Sequence, residues 1–186
     1  MSHFFVVAIG RSGTKWLANL LSEAREAVCL HENPDPRSKT VPQPWTPFPV
    51  ERWQGRSSYG EVNGMLRYHL SGQCLGREME IQNRIYLRRA PLDIIASWMV
   101  QGRREDWELS ATCAEVLWHA ANLSAWADLS DTPIVDVETL WASRSAVQDL
   151  IHHLHLRLIV TDEMMAPQNV GMAEARRAWV WTPERL

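Results

Sequence analysis

The chain has 186 residues, a length typical of one domain with a full hydrophobic core. Its formal net charge of −3 argues against a broad nucleic-acid-binding surface, and its three Cys, without paired spacing, argue against a disulfide framework or a zinc site. No apolar run approaches the roughly 20 residues that cross a bilayer, and no secretion signal precedes the first strand, so we expect one cytoplasmic domain over 1–186 without membrane or metal.

The first predicted elements are a strand, a tight turn and a helix. The apolar run 4–9 predicts a buried strand, and Gly10 and Gly13 allow the turn. The helix has an apolar inner face at Leu17, Leu20 and Leu21. Backbone N–H groups at such a helix start carry partial positive charge, and Arg11 and Lys15 add two full charges. The pattern predicts a loop that binds phosphate or sulfate; a strand-to-helix turn without ligand is the alternative.

This loop differs from the one that binds nucleoside triphosphates, in which Gly-Lys-Ser/Thr follows four spacer residues. Here Lys15 comes one position late, and Trp16 replaces the hydroxyl residue that would ligate magnesium. The run Arg-Ser-Gly-Thr-x-Trp at 11–16 resembles the phosphosulfate-binding loop of sulfotransferases, which use 3′-phosphoadenosine 5′-phosphosulfate (PAPS) as donor. The resemblance implies that Trp16 packs near the adenine. It also implies that five residues bind the phosphosulfate and stabilise the departing phosphate: Arg11, Ser12, Gly13, Thr14 and Lys15.

A candidate for the catalytic base follows the second predicted strand, 27–30. His31 and Glu32 come at its end, and strand ends beside a phosphate loop face the ligand crevice in open α/β sheets. Sulfuryl transfer to a hydroxyl or amine requires a group that removes the acceptor's proton. The sulfotransferases that modify protein tyrosine or glucosamine have a Glu at about this distance, so the resemblance implies Glu32 as base. His31 is its rival, and an ordinary surface pair is the alternative.

The stretch 33–58 has six Pro and few periodic apolar residues, which predicts a long loop within the domain. A lid over the acceptor site and plain mobility both fit this composition. The run Tyr-Gly-Glu-Val-Asn at 59–63 is similar to one in bacterial sulfotransferase-like sequences, which implies that Glu61 and Asn63 point into the site. A helix cap at Asn63 is the alternative, and Glu61 is the second candidate for the base.

A second anion-binding motif is predicted around a strand at 85–87 and a helix that begins near Pro91. This segment resembles the sulfotransferase site for the donor's 3′-phosphate, where an Arg at the strand end and a Ser eight residues later hold that group. Arg89 and Ser97 have this spacing. Arg offers a fork of donors matched to phosphate, and Ser adds a hydroxyl. Without a ligand, Arg88 and Arg89 would form a solvated strand end.

The remaining elements are predicted to be structural. One helix has its inner face at Val116, Ala120, Leu123 and Ala127. A last central strand is predicted at 133–137, and a helix that begins at Glu138 follows it. The inner face of that helix is formed by Val147, Leu150, Ile151 and Leu154.

Together these patterns predict a three-layer α/β/α sandwich with a mostly parallel sheet, similar to P-loop nucleoside triphosphate hydrolases. The resemblance implies a PAPS-dependent sulfotransferase that releases adenosine 3′,5′-bisphosphate (PAP). The acceptor would be a hydroxyl or amine on a small molecule, a saccharide or a carrier-bound group. No metal is expected, because cations and loop amides stabilise the charge. The alternatives are a nucleotide-kinase-like phosphotransferase that uses ATP and magnesium, and a degenerate nucleotide-binding module without catalysis.

Overall fold

The computed structural model describes residues 2–31, 58–63, 83–101 and 109–166. Within these ranges the strands are β1 (Ser2–Ala8), β2 (Ala27–His31), β3 (Ser58–Asn63), β4 (Asn83–Arg88) and β5 (Ile134–Asp136). The helices are α1 (Thr14–Ser22), α2 (Pro91–Gln101), α3 (Leu109–Leu129), α4 (Val137–Ala142) and α5 (Arg144–His153). None of these helices is long and apolar enough to span a membrane.

The strands form one sheet in the order β2-β3-β1-β4-β5, and each neighbouring pair is parallel. The carboxyl ends of all strands therefore lie at the same edge of the sheet. From β1 the chain continues first to β2 on one side and later to β4 on the other. In such sheets the crevice beyond the strand ends opens where the strand order reverses. The ends of β1 and β4 thus mark the expected position of a ligand site.

The two faces of the sheet carry separate hydrophobic clusters, because successive residues of a strand point to opposite sides. On one face, Phe4, Val6 and Ala8 pack with α1, α4 and α5. On the other face, Phe5, Val7 and Ile9 pack with α2 and α3. The predicted three-layer α/β/α sandwich with a mostly parallel sheet is confirmed.

The sequence patterns do not predict β3, and the predicted loop 33–58 includes its first residue, Ser58. In the structure Gly60 pairs with Phe4 of β1, and a Cβ at Gly60 would collide with the Phe4 ring. The ring therefore covers the glycine and replaces its missing side chain. A short run with Gly at its centre lacks the pattern of a strand, because the packing group comes from β1. The rest of the predicted loop, 33–57, lies outside the described residues.

The predicted strand 133–137 is shorter in the structure, and the helix expected from Glu138 onward is divided in two. Ser143 interrupts it with an extended backbone (φ −142°, ψ 112°). Its Oγ accepts a hydrogen bond of 3.2 Å from the N–H of Ala146 and so caps α5. The predicted inner face is nevertheless buried at all four positions, Val147, Leu150, Ile151 and Leu154.

Candidate anion-binding site

The loop between β1 and α1 turns through two residues with left-handed backbone, Arg11 (φ 75°) and Gly13 (φ 78°). Between them lies Ser12, whose N–H donates a 3.2 Å hydrogen bond to the carbonyl oxygen of Ile9 and closes the turn. Gly13 is the N-cap of α1 and brings no capping side chain. Left-handed turns next to a helix start arrange successive backbone N–H groups into a concavity that suits an anion.

Ser12 gives the clearest sign that the loop suits a polar ligand. The residue is fully buried, and its Oγ has no hydrogen-bond partner within the part of the chain that the structure describes. A buried hydroxyl without a partner costs about 1–3 kcal/mol, so such an atom requires an explanation, such as a ligand or water that bonds to it. The first turn of α1 holds no acidic residue that would repel an anion. The loop therefore fits the phosphosulfate that the resemblance implies.

The other predicted loop residues differ in exposure. Thr14 is buried at the first position of α1, whereas the side chain of Lys15 is exposed. Trp16 is only 7% exposed and belongs to the core cluster on the α1 face of the sheet. Its ring meets that of Trp141 edge-on, with 6.4 Å between centroids and 71° between planes. Packing in the core thus accounts for most of the Trp16 surface, and its contact with adenine stays a prediction.

α4 closes the loop from one side. A Cβ at Gly13 would lie 2.9 Å from Cζ2 of Trp141 and 3.0 Å from Cγ2 of Val137. Gly13 therefore meets two requirements at once, a positive φ and the close approach of a neighbouring helix. Any other residue at this position would have to displace α4 or change the turn.

The two predicted anion-binding motifs meet in the crevice between β1 and β4. Arg89 Nη1 donates a 2.7 Å hydrogen bond to the backbone oxygen of Arg11. Arg11 Nε in turn donates a 3.3 Å hydrogen bond to Ser97 Oγ on α2. Arg89 is 4% exposed and Ser97 is 1% exposed. The structure thus brings Arg11, Arg89 and Ser97 together from three separate elements.

Two residues of α4 also contact Arg89, and sequence reasoning did not select either of them for the site. Glu138 Oε1 lies 3.6 Å from Arg89 Nε, and Arg89 Cζ lies 5.1 Å from the centroid of the Trp141 ring. An ion pair and a cation–π contact thus compensate a guanidinium that is almost fully buried. The signal available in the sequence is the Glu-x-x-Trp spacing, which puts both side chains on one face of a helix that directly follows a strand.

Arg88 lies beside the site but has a different partner. Its Nε and Nη2 donate hydrogen bonds of 2.6 and 2.8 Å to the two carboxylate oxygens of Asp136 in β5. The side chains of Arg88 and Asp136 are 46% and 41% exposed. These hydrogen bonds lower the pKa of Asp136 and raise the pKa of Arg88. Arg88 therefore belongs to an exposed pair between β4 and β5. For this residue the structure resembles the solvated strand end that is the alternative to anion binding.

The backbone of two candidate bases, His31 and Glu61, lies on the other side of β1. His31 ends β2, and Glu61 and Asn63 lie in β3, where Asn63 pairs with Val7 near the carboxyl end of β1. The backbone of His31 and Asn63 thus reaches the same edge of the sheet as the loop. Glu32 and the side chains of the other candidates lie outside the described residues, so the choice of base stays a prediction.

Comparison with known proteins shows which fold the chain has. No protein-family model matches the chain, and no curated protein matches it in sequence. In structure it is similar to a sulfotransferase from Alicyclobacillus acidocaldarius, with a TM-score of 0.59 and 14% identity over 96% of this chain and 90% of that one. The chain has a sulfotransferase-like fold.

A mouse sulfotransferase, SULT7A1 in complex with PAP, is similar as well. The TM-score is 0.57 with 15% identity over 94% of this chain, which spans 63% of the mouse chain. The resemblance inferred from the sequence motifs is therefore confirmed at the level of the fold.

Proposed function

We propose that this chain is a PAPS-dependent sulfotransferase, which transfers a sulfuryl group to a hydroxyl or amine by in-line attack. The proposal rests chiefly on one observation: the Arg89 side chain bonds the backbone of Arg11, and the Arg11 side chain bonds Ser97. The motifs that resemble the 5′-phosphosulfate site and the 3′-phosphate site are thus in direct contact. The fold of the two solved sulfotransferases, one of them complexed with PAP, supports the same reading.

The donor would be held at both of its anionic ends. The loop from Arg11 to Lys15 would bind the phosphosulfate through backbone N–H groups, the Ser12 hydroxyl and two cationic side chains. Arg89 and Ser97 would bind the 3′-phosphate, since a guanidinium and a hydroxyl suit a dianionic group. When bound, PAPS supplies the activated sulfuryl group.

The loop would also stabilise the charge that develops on the departing 5′-phosphate. Arg11 is held by its bond to Ser97, and the loop backbone is held by Arg89, so these groups need little reorganisation during the reaction. Preorganised donors aimed at developing charge are usually the largest contribution to catalysis. In this proposal they perform the task that magnesium performs in nucleotide kinases.

Glu32 would act as the general base that removes the acceptor's proton. We expect Glu32→Gln to keep the affinity for PAP, because the amide retains the shape of a residue that contacts the acceptor. Turnover of labelled PAPS should fall by about 10²–10⁴-fold, the usual contribution of a positioned base. Glu61→Gln and His31→Asn are the controls with smaller effects. Normal turnover in Glu32→Gln with a collapse in one control would move the assignment to that residue.

The test of the donor assignment is a comparison of nucleotides by calorimetry. PAP should bind at least about tenfold more tightly than AMP or ATP, because charged hydrogen bonds contribute roughly 1.5–3 kcal/mol each. This binding should persist in a chelator of divalent cations. Equal affinity for AMP and PAP would refute the proposal. Binding of ATP that requires magnesium and is not displaced by PAP would support the phosphotransferase alternative.

The acceptor would be a small molecule, a saccharide or a carrier-bound group with a nucleophilic oxygen or nitrogen. A screen of labelled PAPS against acceptors of these three kinds would identify the class. Turnover that appears with one class and depends on Glu32 would connect the acceptor to the proposed base.

A further inference from the structure

Trp141 contacts three parts of the candidate donor site. Its Cζ2 lies 2.9 Å from the position that a Cβ on Gly13 would take, its ring meets Trp16 edge-on, and the guanidinium carbon of Arg89 lies 5.1 Å from its ring centroid. We propose that Trp141 is a positioning residue: its ring orients the Arg89 guanidinium toward the 3′-phosphate and fixes the distance between the two anion-binding motifs. This inference rests on the proposed function, because it assigns the 3′-phosphate to Arg89.

The ring of Trp141 and the backbone of Arg11 are two contacts that direct the Arg89 guanidinium. Glu138 Oε1 lies 3.6 Å from Arg89 Nε, which is beyond the range of a hydrogen bond. That carboxylate balances the charge but gives little direction to the guanidinium. The ring of Trp141 and the backbone oxygen of Arg11 define positions more sharply, since one offers an extended aromatic surface and the other accepts a 2.7 Å hydrogen bond.

The same ring also restricts the loop. Gly13 has a left-handed backbone and is the N-cap of α1, so its position sets the direction of the first N–H groups of that helix. Because Trp141 touches both Gly13 and Arg89, a shift of the ring would move both anion-binding motifs relative to each other. The residue is 38% exposed, so it is far less buried than the surrounding core and its replacement should leave most of the core packing in place.

The experiment compares Trp141→Leu, which keeps apolar bulk without a ring, with Trp141→Phe, which keeps an aromatic face. Trp118→Leu is the matched control, because Trp118 is 56% exposed on α3, in the opposite helix layer. Affinities for PAP and AMP are measured by calorimetry for each protein. Circular dichroism and thermal unfolding verify the fold. If the leucine variant does not fold, Trp141→Met replaces it, since Met also lacks a ring.

We expect the ratio of PAP to AMP affinity to fall by about three- to tenfold in Trp141→Leu, the range expected for a cation–π contact at a partly desolvated site. Trp141→Phe should restore most of the ratio, and Trp118→Leu should leave it unchanged. A purely structural role would lower the melting temperature or weaken the binding of PAP and AMP equally, without changing the ratio of the two affinities.

The outcomes separate this inference from the function on which it rests. If the unmodified protein prefers PAP and Trp141→Leu keeps the full preference, the positioning role is wrong and the donor assignment stands. If the unmodified protein binds PAP and AMP equally, the donor assignment fails and the positioning role fails with it.

Discussion

Arg88 and Arg89 are adjacent in sequence at the end of β4, yet they occupy very different surroundings. Arg88 is 46% exposed and forms a two-point ion pair with Asp136 on the next strand. Arg89 is 4% exposed and reaches in the opposite direction, to the loop after β1 and to α4. Two residues that are adjacent in sequence thus have different neighbours, β5 for Arg88 and the loop after β1 for Arg89.

The comparison shows that the partners of an arginine help to indicate whether it can bind a ligand. Arg88 has a carboxylate that satisfies its fork of donors in the folded protein, and this arrangement needs no ligand. Arg89 bonds a backbone oxygen of the loop whose buried Ser12 hydroxyl has no hydrogen-bond partner in the described ranges. A buried charge beside such a loop is the arrangement expected where an anion binds.

The largest expected effect on stability would come from Gly13→Ala, which tests how closely α4 packs against the loop. The new Cβ would meet Trp141 and Val137 at about 3 Å, on a backbone with φ 78°. Strain of this backbone kind and overpacking cost about 1–3 kcal/mol each, so stability should fall by about 2–4 kcal/mol in a denaturant titration.

Lys15→Ala is the control for that variant, since Lys15 is exposed in the first turn of α1, two residues after Gly13. It should weaken PAP binding and leave the unfolding free energy within about 0.5 kcal/mol of the unmodified protein. Unchanged stability in Gly13→Ala would contradict the close packing of α4 against the loop.

Next in size is the direct comparison of the two arginines. Arg89→Ala should weaken PAP binding by at least about tenfold, because it would remove the charged contact proposed for the 3′-phosphate. Arg88→Ala should change it by less than about twofold, because Arg88 is committed to Asp136. Calorimetry on variants that are folded by circular dichroism gives both values. Equal losses in the two variants would show that general positive charge at the strand end, and not the position of Arg89, attracts the donor.

Ser97→Ala sharpens the same comparison on the α2 side of the crevice. Ser97 is 1% exposed, and its hydroxyl accepts a hydrogen bond from Arg11. Its loss should weaken PAP binding by about three- to tenfold, the equivalent of one ordinary hydrogen bond, and should affect AMP less. Ser110→Ala, at an exposed position of α3, should affect neither nucleotide. A larger loss for AMP than for PAP would place the 3′-phosphate elsewhere.

The smallest effect concerns the exposed pair. Hydrogen bonds from Arg88 lower the pKa of Asp136, so the pair adds stability above the ordinary carboxylate pKa of about 4 and loses it as the pH falls through the lowered value. Asp136→Asn should cost less than about 1 kcal/mol at pH 7, since both side chains are well exposed. The difference from the unmodified protein should vanish in acid. A difference that persists once Asp136 is protonated would show that the carboxylate charge is not its cause.

The sequence by itself determined the elements whose patterns are local. Apolar runs and helical spacing predicted β1, α1, β2, β4, α2 and α3. The inner faces expected for α1 and α3 are buried, except that Ala120 is only half-buried. The loop at 11–16 and the spacing of Arg89 and Ser97 predicted two anion-binding motifs, and the structure brings these into contact. Such features can be predicted from sequence because helix starts, tight turns and strand ends depend on residues that are close in sequence.

Only the tertiary structure decided the features that depend on distant residues. β3 was missed because the ring of Phe4, on another strand, supplies the packing that Gly60 lacks. Arg88 and Arg89 have different partners because β5 lies on one side of β4 and the loop after β1 lies on the other. Trp141 enters the site because α4 folds back against a loop more than a hundred residues earlier in the chain. Neither helix propensity nor residue spacing predicts that α4 approaches this loop, because the approach is set by how the sheet and its two helix layers pack together.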